Sequence, residues 1–261
     1  MGAAQTLVLT YHSIPVSLSG APGPTSTPVE TFRMQMDQLA EAGYAAMTLQ
    51  DFIDWRAGRL PAGRRVLITF DDAFLDFAEA AHPILRGHGF NAVMFAPTGK
   101  LGSPEAWLGA DAPARALMSW DQVAALAEDG VEFGSHSVTH ADLTAISPEE
   151  RRREIVESGD ELARRLGKPV RSFAAPYGHV NAQVLAELSE RYDLAFGTRF
   201  DRPHPDDNPL DVPRIEMHYF REQPRWRDFL EGGQTYFQAR RLLRSVRETA
   251  MRLRGRSPAY G

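Results

Sequence analysis

Residues 66–74 read VLITFDDAF and place two adjacent carboxylates directly after an apolar, β-branched run. Such a run is typical of a parallel strand that is buried on both faces, and the strand would end at Asp71 and Asp72. Neighbouring carboxylates repel each other and lose hydration on burial, so a chain that keeps both at a strand end usually provides a cation for one of them. The pair therefore predicts a cation site at the end of this strand.

Two histidines offer further ligands for such a cation. They lie in the segment GSHSVTH at 134–140, after another apolar run, and stand four positions apart at His136 and His140. This spacing predicts that both imidazoles share one face of a helical turn. An isolated Asp-Asp pair is mostly a turn or helix cap and an isolated HxxxH is mostly incidental, but here both motifs end predicted strands. Two neutral imidazoles and one carboxylate form a common open site for a divalent metal that keeps a water.

Strand and helix patterns alternate along the chain, which predicts a parallel sheet with right-handed crossovers. The predicted strands are 6–11, 45–49, the run that ends at the Asp pair, 90–96, 131–134, 170–175, 194–197 and 212–217. The predicted helices are 31–42, 50–57, 74–86, 119–128, 147–166, 181–191 and 234–254. This alternation fits a closed α/β barrel and also a doubly wound open sheet. In either fold the motifs that follow the strands would lie at one rim.

Length and composition favour a single globular domain over residues 1–261. The length of 261 residues matches the roughly 250 residues that are typical of one α/β barrel. Its net charge of −5 gives no general attraction for nucleic acid or for an anionic membrane. Cysteine is absent, so a metal has to use His, Asp or Glu. The first residues lack the basic region and apolar segment of a signal peptide, and we expect a cytoplasmic protein.

Two predicted helices are strongly charged. Ser119 is a candidate N-cap for the helix at 119–128, and SPEE at 147–150 is a capping box that starts the helix at 147–166. We interpret the charges of the helix at 147–166 as a solvated face. In the C-terminal basic helix at 234–254, apolar residues fall near one face and arginines lie elsewhere. That helix could contact an anionic membrane surface or a protein partner; packing on the barrel with a solvated arginine face is the interpretation we favour. The apolar residues are Phe237, Leu243, Val246, Ala250 and Leu253, and the arginines stand at 240, 241, 244, 247, 252 and 254.

The motifs together resemble a known family. TFDD at 69–72, HSVTH at 136–140 and FAAPYG at 173–178 are similar to the first three motifs of the polysaccharide deacetylases, the NodB-homology or carbohydrate esterase family 4 domain. The opening LTYHSI at 9–14 resembles the start of many members. The resemblance runs from about residue 7 to about 215 and implies a distorted, NodB-like (β/α) barrel with about seven parallel strands.

This resemblance implies a metal-dependent hydrolase that removes N-acetyl groups from the amino sugars of a polysaccharide, an oligosaccharide or its precursor. It assigns Asp72, His136 and His140 to a divalent metal, for which Zn²⁺ is the expected ion, and Asp71 to the general base. Tyr177 falls where the family has a backbone N–H that donates to the oxyanion. Loops at 13–28, 98–113 and 201–211 are expected to shape the substrate groove.

Three departures from the family pattern leave roles open. Ala174 stands where the family usually has an arginine that pairs with the catalytic aspartate, and Arg214, at the end of the last predicted strand, is the candidate replacement. The family's D-x-x-D-W motif has no match between residues 178 and 214. We expect the general acid at His218, although the leucine of the family's L-x-H motif is missing. His12 is the competing candidate because it also follows a predicted strand.

Two other functions stay open from the sequence. The same site could hydrolyse another amide or an ester, such as a formamide, an O-acetyl group or a cyclic amide. The missing arginine and the missing D-x-x-D-W motif also fit a catalytically silent carbohydrate-binding protein. For the deacetylase, the expected partner is an N-acetylated glycan or a sugar precursor. Nucleic acid is not expected, because no basic cluster is interleaved with stacking aromatic residues.

Overall fold

Seven parallel strands close into a barrel in the computed structural model, which describes residues 5–16, 23–61, 63–107 and 115–253, with side chains to residue 247. The strands are β1 (Thr6–Tyr11), β2 (Ala45–Ala46), β3 (Arg65–Asp71), β4 (Val93–Ala96), β5 (Glu132–Ser135), β6 (Ser172–Ala174), β7 (Leu194–Phe200) and β8 (Val212–Glu216). They pair in the order β1-β3-β4-β5-β6-β7-β8, and β8 pairs with β1 to close the ring. The prediction of a (β/α) barrel with about seven strands is confirmed, and the β1–β8 pairing excludes the open sheet.

The short strand β2 lies outside this ring. It pairs only with the first residues of β3, through Ala45 with Arg65 and Ala46 with Val66. Further along β3, strand β4 pairs with this same edge. The other edge of β3 pairs with β1 along the whole length of β1. The sequence predicted a longer strand at 45–49, but Leu49 already begins the next helix.

Helices connect the strands around the barrel. They are α1 (Val29–Glu41), α2 (Leu49–Arg56), α3 (His82–Gly87), α4 (Trp120–Glu128), α5 (Pro148–Leu166), α6 (Ala182–Ser189), α7 (Gln223–Glu231) and α8 (Thr235–Leu253). A π-helical stretch at Phe77–Ala81 precedes α3, and short 3₁₀ turns lie at Pro176–Gly178 and Met217–Phe220. Capping boxes at Ser119 and Ser147 start α4 and α5, as their sequences predict. The sequence analysis did not identify α7.

Alternate strand residues face opposite sides of the barrel wall. In β3, Ile68 and Phe70 pack outward against the helices, whereas Leu67 belongs to the apolar cluster inside the barrel. Because side chains alternate along the strand with a period of two residues, Asp71 also points inward. In β8 the same alternation turns Arg214 inward as well, two residues after an interior valine. Two opposite charges therefore meet inside the barrel at the carboxyl ends of the strands.

The register of the strands aligns the residues that follow them. Tyr11 is paired with Phe70, so His12 leaves β1 at the level where Asp71 ends β3. Ala96 of β4 is paired with Ser135 of β5, so His136 emerges at the same rim. The residues that carry the predicted chemistry are thus brought together by parallel pairing.

The interpretation of α5 as carrying only solvated charges is wrong for two residues. Glu154 is 2% exposed and Arg151 is 5% exposed. Arg151 donates two hydrogen bonds to Glu187 of α6, at 2.9 and 2.7 Å. These charges are paired inside the structure because they lie on the buried stripe of the helix, with Ile155 and Leu162.

The C-terminal helix packs on the barrel as favoured, but the interpretation is wrong about which face does so. Phe237 is buried, but Leu243 and Val246 are exposed, together with Leu242. Arginines of α8 contact the body of the protein instead, and Arg240 lies over the ring of Tyr219. The predicted face residues at 250 and 253 and the arginines at 252 and 254 lie outside the described side chains. Within the described ranges, no helix is both long and apolar enough to cross a membrane.

Candidate active site

Three side chains converge at the rim of the barrel in the way a metal site requires. Asp72 Oδ1 lies 3.3 Å from Nε2 of His136 and 3.1 Å from Nε2 of His140. One ligand atom from each residue falls within 4.8 Å of the others, and all three residues are buried. Among the described residues, Asp72 Oδ1 has no hydrogen-bond partner. A buried carboxylate oxygen without a partner is costly, and a cation between these three atoms would satisfy it.

The charges of this group fit a divalent cation. Burial opposes ionisation of Asp72, but the two imidazoles beside it dominate and hold its pKa well below the usual range. Burial also opposes charge on His136, yet Asp72 raises its pKa. At His140 burial dominates and lowers the pKa, so this imidazole is neutral at pH 7. One carboxylate and two imidazoles form a donor set that Zn²⁺ accepts readily.

Ring contacts and one hydrogen bond orient both imidazoles. His136 Nδ1 lies 2.7 Å from the carbonyl oxygen of Ala174, so Nδ1–H donates there and Nε2 faces Asp72. His140 stacks on Trp107, with centroids 4.2 Å apart and planes at 18°. Tyr177 makes a T-shaped contact with His140, with ring centroids 4.7 Å apart. Trp107 was not identified from the sequence because it lies in a loop without regular periodicity.

The backbone of the site is strained. The described non-glycine residues with positive φ all lie at this rim: Asp72, Ala73, Ser137, His140 and Tyr177. Such conformations cost about 1–3 kcal/mol each and persist only where the surrounding structure enforces them. The prediction that a helical turn carries the two histidines is wrong, since residues 136–140 form no helix. An irregular loop with two left-handed residues makes the imidazoles converge instead.

Glu154 of α5 holds this loop in place. Its Oε2 accepts hydrogen bonds from the backbone N–H groups of Val138 and Thr139, both at 2.8 Å. Its Oε1 accepts one from the Thr139 hydroxyl, also at 2.8 Å. Sequence reasoning missed Glu154, although its place next to Ile155 in a helix with a buried side was an available signal. The carboxylate fixes the loop that carries the metal-binding candidates.

Asp71 is paired with Arg214 beside the metal-binding candidates. The two guanidinium nitrogens of Arg214 donate to the two carboxylate oxygens of Asp71, each at 2.7 Å. Arg214 Nε also donates to the carbonyl of Gly197 at 3.0 Å, and both charged residues are 1% exposed. Ala174, where the family motif usually has arginine, is fully buried and uncharged. The structure therefore places Arg214 where it can offset the charge of Asp71; its part in catalysis stays a prediction.

The two candidates for the general acid occupy different surroundings. His12 Nε2 lies 4.0 Å from Asp71 Oδ2, whereas His218 Nδ1 lies 3.4 Å from Glu216 Oε2. Glu216 is buried, which opposes its ionisation. His218, His12 and Arg244 outweigh this effect and lower its pKa to about 2. Glu216 is thus an ionised carboxylate close to both candidates, and no sequence motif pointed to it.

One cavity is lined by most of the side chains described above. Both aspartates and the two candidate ligand histidines line it, together with His12, Trp107, Arg115 and Tyr177. His218 is not among its described lining residues. The loops at 13–28 and 98–113 contribute to the lining as expected, through Pro24 and Trp107 among others, and 201–211 contributes no described residue. The cavity opens directly onto the candidate metal site, so a substrate bound there would meet all of these side chains.

Arg115 gives this cavity a charged wall. Its guanidinium lies 3.9 Å from the centroid of the Phe74 ring and donates to Glu105, with Nη2 to Oε2 at 2.8 Å. Glu105 is 5% exposed. The positive charge at the wall is therefore largely balanced by a buried carboxylate, and Arg115 also packs on Phe74, two residues after the Asp pair.

Known proteins share both this sequence and this fold. The family model for polysaccharide deacetylases matches residues 59–194, the segment that carries both aspartates and both histidines. YxkH of Bacillus subtilis (strain 168), a protein assigned to the polysaccharide deacetylases, is 24% identical over 183 residues. That alignment covers 70% of this chain and 60% of YxkH.

Two solved structures superpose well on this one. Streptococcus pyogenes deacetylase PplD, solved in complex with acetate, has a TM-score of 0.71 at 26% identity and is matched over 81% of this chain and 91% of its own. IcaB from Ammonifex degensii has a TM-score of 0.70 at 24% identity, over 89% of this chain and 98% of its own. The second match shows a shared fold. The similarity therefore extends beyond the motifs to most of the barrel.

Proposed function

This chain belongs to the polysaccharide deacetylase family, and we propose that it is a metal-dependent hydrolase that removes N-acetyl groups from the amino sugars of a polysaccharide, an oligosaccharide or its precursor. The observation that carries the proposal is the buried convergence of Asp72, His136 and His140 next to the salt bridge between Asp71 and Arg214. Family membership alone would leave open whether the site is intact. The geometry supports an intact one.

Amide hydrolysis needs an activated water, a stabilised oxyanion and a proton for the leaving amine. A bound divalent metal supplies a Lewis acid for the carbonyl and lowers the pKa of water to about 7 in favourable sites. We assign to Asp71 the removal of the proton from the attacking water. Arg214 fixes the plane of that carboxylate through both oxygens and offsets its charge beside Asp72.

For the proton that the leaving amine requires, we propose His12 ahead of His218. His12 lines the cavity and lies within 4.0 Å of Asp71, whereas His218 is not among the described lining residues. Glu216, ionised and buried, lies 3.4 Å from His218, and the charge of His12 also helps to lower its pKa. The carboxylate that orients the acid would then come from the last strand of the barrel.

Tyr177 completes the proposed machinery at the opposite wall. It lies in the turn Pro176–Gly178, and its backbone N–H is the proposed donor to the oxyanion. Burial, with help from the nearby Asp72 and Asp142, raises the pKa of its phenol to about 12, so the side chain stays neutral. Gly178 is required in this turn because a Cβ there would overlap Thr198.

The test combines metal analysis with acetate release from N-acetylglucosamine oligomers on the same samples. Asp71→Asn should keep the metal and abolish turnover, since it removes the base but no proposed ligand. His136→Ala should lose both metal and turnover. Activity retained in Asp71→Asn would refute the assignment of the base.

Other outcomes would redirect the proposal to the remaining alternatives. Metal without acetate release would move the search to formamides, O-acetyl esters and cyclic amides, which substrate profiling separates. Glycan binding without metal-dependent turnover would support the carbohydrate-binding interpretation. The missing arginine at Ala174, which suggested that interpretation, is offset here by Arg214.

A further inference from the structure

Two strained segments face each other at the rim of the barrel. One is the loop that carries both candidate ligand histidines, and the other is the turn at Pro176–Gly178. His140 and Tyr177 both adopt left-handed backbone conformations, with φ of 63° and 60°, and their rings are in contact. Such conformations persist only where neighbouring groups hold them. Glu154 holds the histidine loop, and the turn requires a support of its own.

A hydrogen bond joins the two segments just beyond these residues. Nδ1 of His179 lies 2.8 Å from Oδ2 of Asp142, and the His179 side chain is only 9% exposed. Asp142 follows His140 by two positions, and His179 follows Tyr177 by two. Because an ionised carboxylate only accepts hydrogen bonds, Nδ1 of His179 carries the proton. The ring contact and this hydrogen bond thus connect the same two segments at two places.

Each partner of this hydrogen bond is fixed within its own segment. Oδ1 of Asp142 accepts from the backbone N–H and the hydroxyl of Thr144, at 3.0 and 2.7 Å. In the turn before His179, the N–H of Gly178 donates to the carbonyl of Ala175 at 2.9 Å. The hydrogen bond between Asp142 and His179 therefore joins two parts that are each held locally, and it sets the distance between them.

The pair acts at a distance from the substrate cavity. Among the described residues, the cavity lining includes His140 and Tyr177 but neither Asp142 nor His179. The pair can therefore affect a bound substrate only through the backbone that it holds. The nearest functional group on that backbone is the N–H of Tyr177, which is the proposed donor to the oxyanion.

We propose that Asp142 and His179 are positioning residues that hold the N–H of Tyr177 at the distance from the candidate metal ligands that amide hydrolysis requires. The carbonyl oxygen of the substrate has to lie within reach of this N–H and of the metal site at once. The separation of the two segments must therefore be fixed before the reaction. This inference rests on the proposed deacetylase function.

The kinetics of acetate release test the use of this pair. His179→Ala should lower kcat by about 10–100-fold, because a misplaced donor loses part of the about 100–1000-fold that one oxyanion donor contributes. KM should change by less than about twofold, because the pair lies outside the cavity lining. His179→Asn should keep most of the activity, because its amide N–H can donate to Asp142 in place of Nδ1. His204→Ala is the matched control, since His204 also lies beside an aspartate, Asp206, but is 69% exposed.

Two further measurements do not depend on turnover. Zn²⁺ affinity, measured by competition with a chromophoric chelator, should stay within about threefold in His179→Ala, because Glu154 still holds the ligand loop. The second measurement is NMR of metal-free protein that is isotope-labelled only at the backbone nitrogen of its seven tyrosines. The amide signal of Tyr177 should shift in His179→Ala and return in His179→Asn. Its disappearance in Tyr177→Phe assigns the signal.

Each measurement has a result that would overturn the proposal. Unchanged kcat in His179→Ala, or an equal loss in His179→Asn, would show that the hydrogen bond to Asp142 does not support turnover. A fall in Zn²⁺ affinity as large as the fall in kcat would assign the pair to the ligand loop. An unmoved Tyr177 signal would show that the pair does not hold the turn.

Failure of the proposed function gives a different result. If the wild type releases no acetate, the deacetylase proposal is rejected, and the Tyr177 signal in His179→Ala still decides whether the pair holds the turn. Urea unfolding of each variant checks that it is folded under the conditions of the assays, so that a loss of activity is not a loss of fold.

Discussion

The hydrogen bonds of Glu154 allow a quantitative test of how the metal loop is held. Glu154→Gln keeps the size of the side chain and removes its charge. The three bonds at 2.8 Å from Val138 and Thr139 are charge-assisted, worth about 1.5–3 kcal/mol each against about 0.5–1.5 kcal/mol for neutral ones. Losing about 1 kcal/mol at each bond predicts a fall of about 3 kcal/mol in the free energy of unfolding.

Metal affinity should fall as well. The loop that Glu154 fixes contains two left-handed residues, Ser137 and His140, and one of these is a proposed ligand. Once its support weakens, the loop can relax toward less strained conformations in which the imidazoles no longer converge. Groups that orient metal ligands typically change metal affinity by about 10–100-fold, and we expect an effect of this size.

Two assays and one control decide the question. Urea unfolding of the metal-free protein measures stability, and competition with a chromophoric chelator measures Zn²⁺ affinity. Glu157→Gln is the matched control because Glu157 lies on the exposed face of the same helix. If Glu154→Gln unfolds at the same urea concentration as the control and binds Zn²⁺ equally well, the carboxylate does not hold the loop and the reasoning is refuted.

Three further predictions concern buried groups of the barrel. Arg214→Met should lower the free energy of unfolding by about 3–5 kcal/mol in urea melts, because it leaves Asp71 buried without its cation, and adding Asp71→Asn should recover part of the loss. Gly134→Ala should cost about 1–3 kcal/mol by the same assay, since a methyl group there would overlap an aromatic ring of β4, whereas Gly87→Ala, with open space around it, should not destabilise. Glu216 has a pKa of about 2 against an ordinary 4.5, so protonation favours the unfolded state: its contribution of about 3 kcal/mol is complete above about pH 5 and disappears as the pH falls toward 2. Glu216→Gln should therefore approach the wild type in stability across that range, and a constant difference would contradict the assignment.

The cation next to Asp71 illustrates how this chain departs from its family. The sequence shows alanine in the third motif and offers Arg214, at the end of the last predicted strand, as the candidate replacement. In the structure the barrel is closed, so an inward-facing residue of β8 can reach Asp71 across the interior. Arg214 is this residue, and it makes a bidentate salt bridge with Asp71. The charge balance of the site is preserved although the residue that provides it lies on a different strand.

Local patterns were sufficient for the parts of this protein that depend on neighbours in sequence. The apolar runs and capping boxes predicted nearly all strands and helices, because hydrophobic period and cap chemistry are local properties. The Asp pair and the HxxxH segment predicted a metal-binding cluster, because ligand chemistry depends on residue type. The sequence did not decide whether the sheet closes into a ring, since the alternation of strands and helices is the same in a barrel and in an open sheet.

Only the tertiary structure decided which distant groups meet. Glu154 contacts the histidine loop because α5 packs behind β5, and His12 lies beside Asp71 because β1 and β3 pair in register. The orientation of α8 was also beyond the sequence, because an amphipathic helix has two faces and its pattern does not state which one the barrel receives. Residue types and hydrophobic periods can be read from the local sequence. Contacts between strands and helices depend on register and packing, which exist only once the chain has folded.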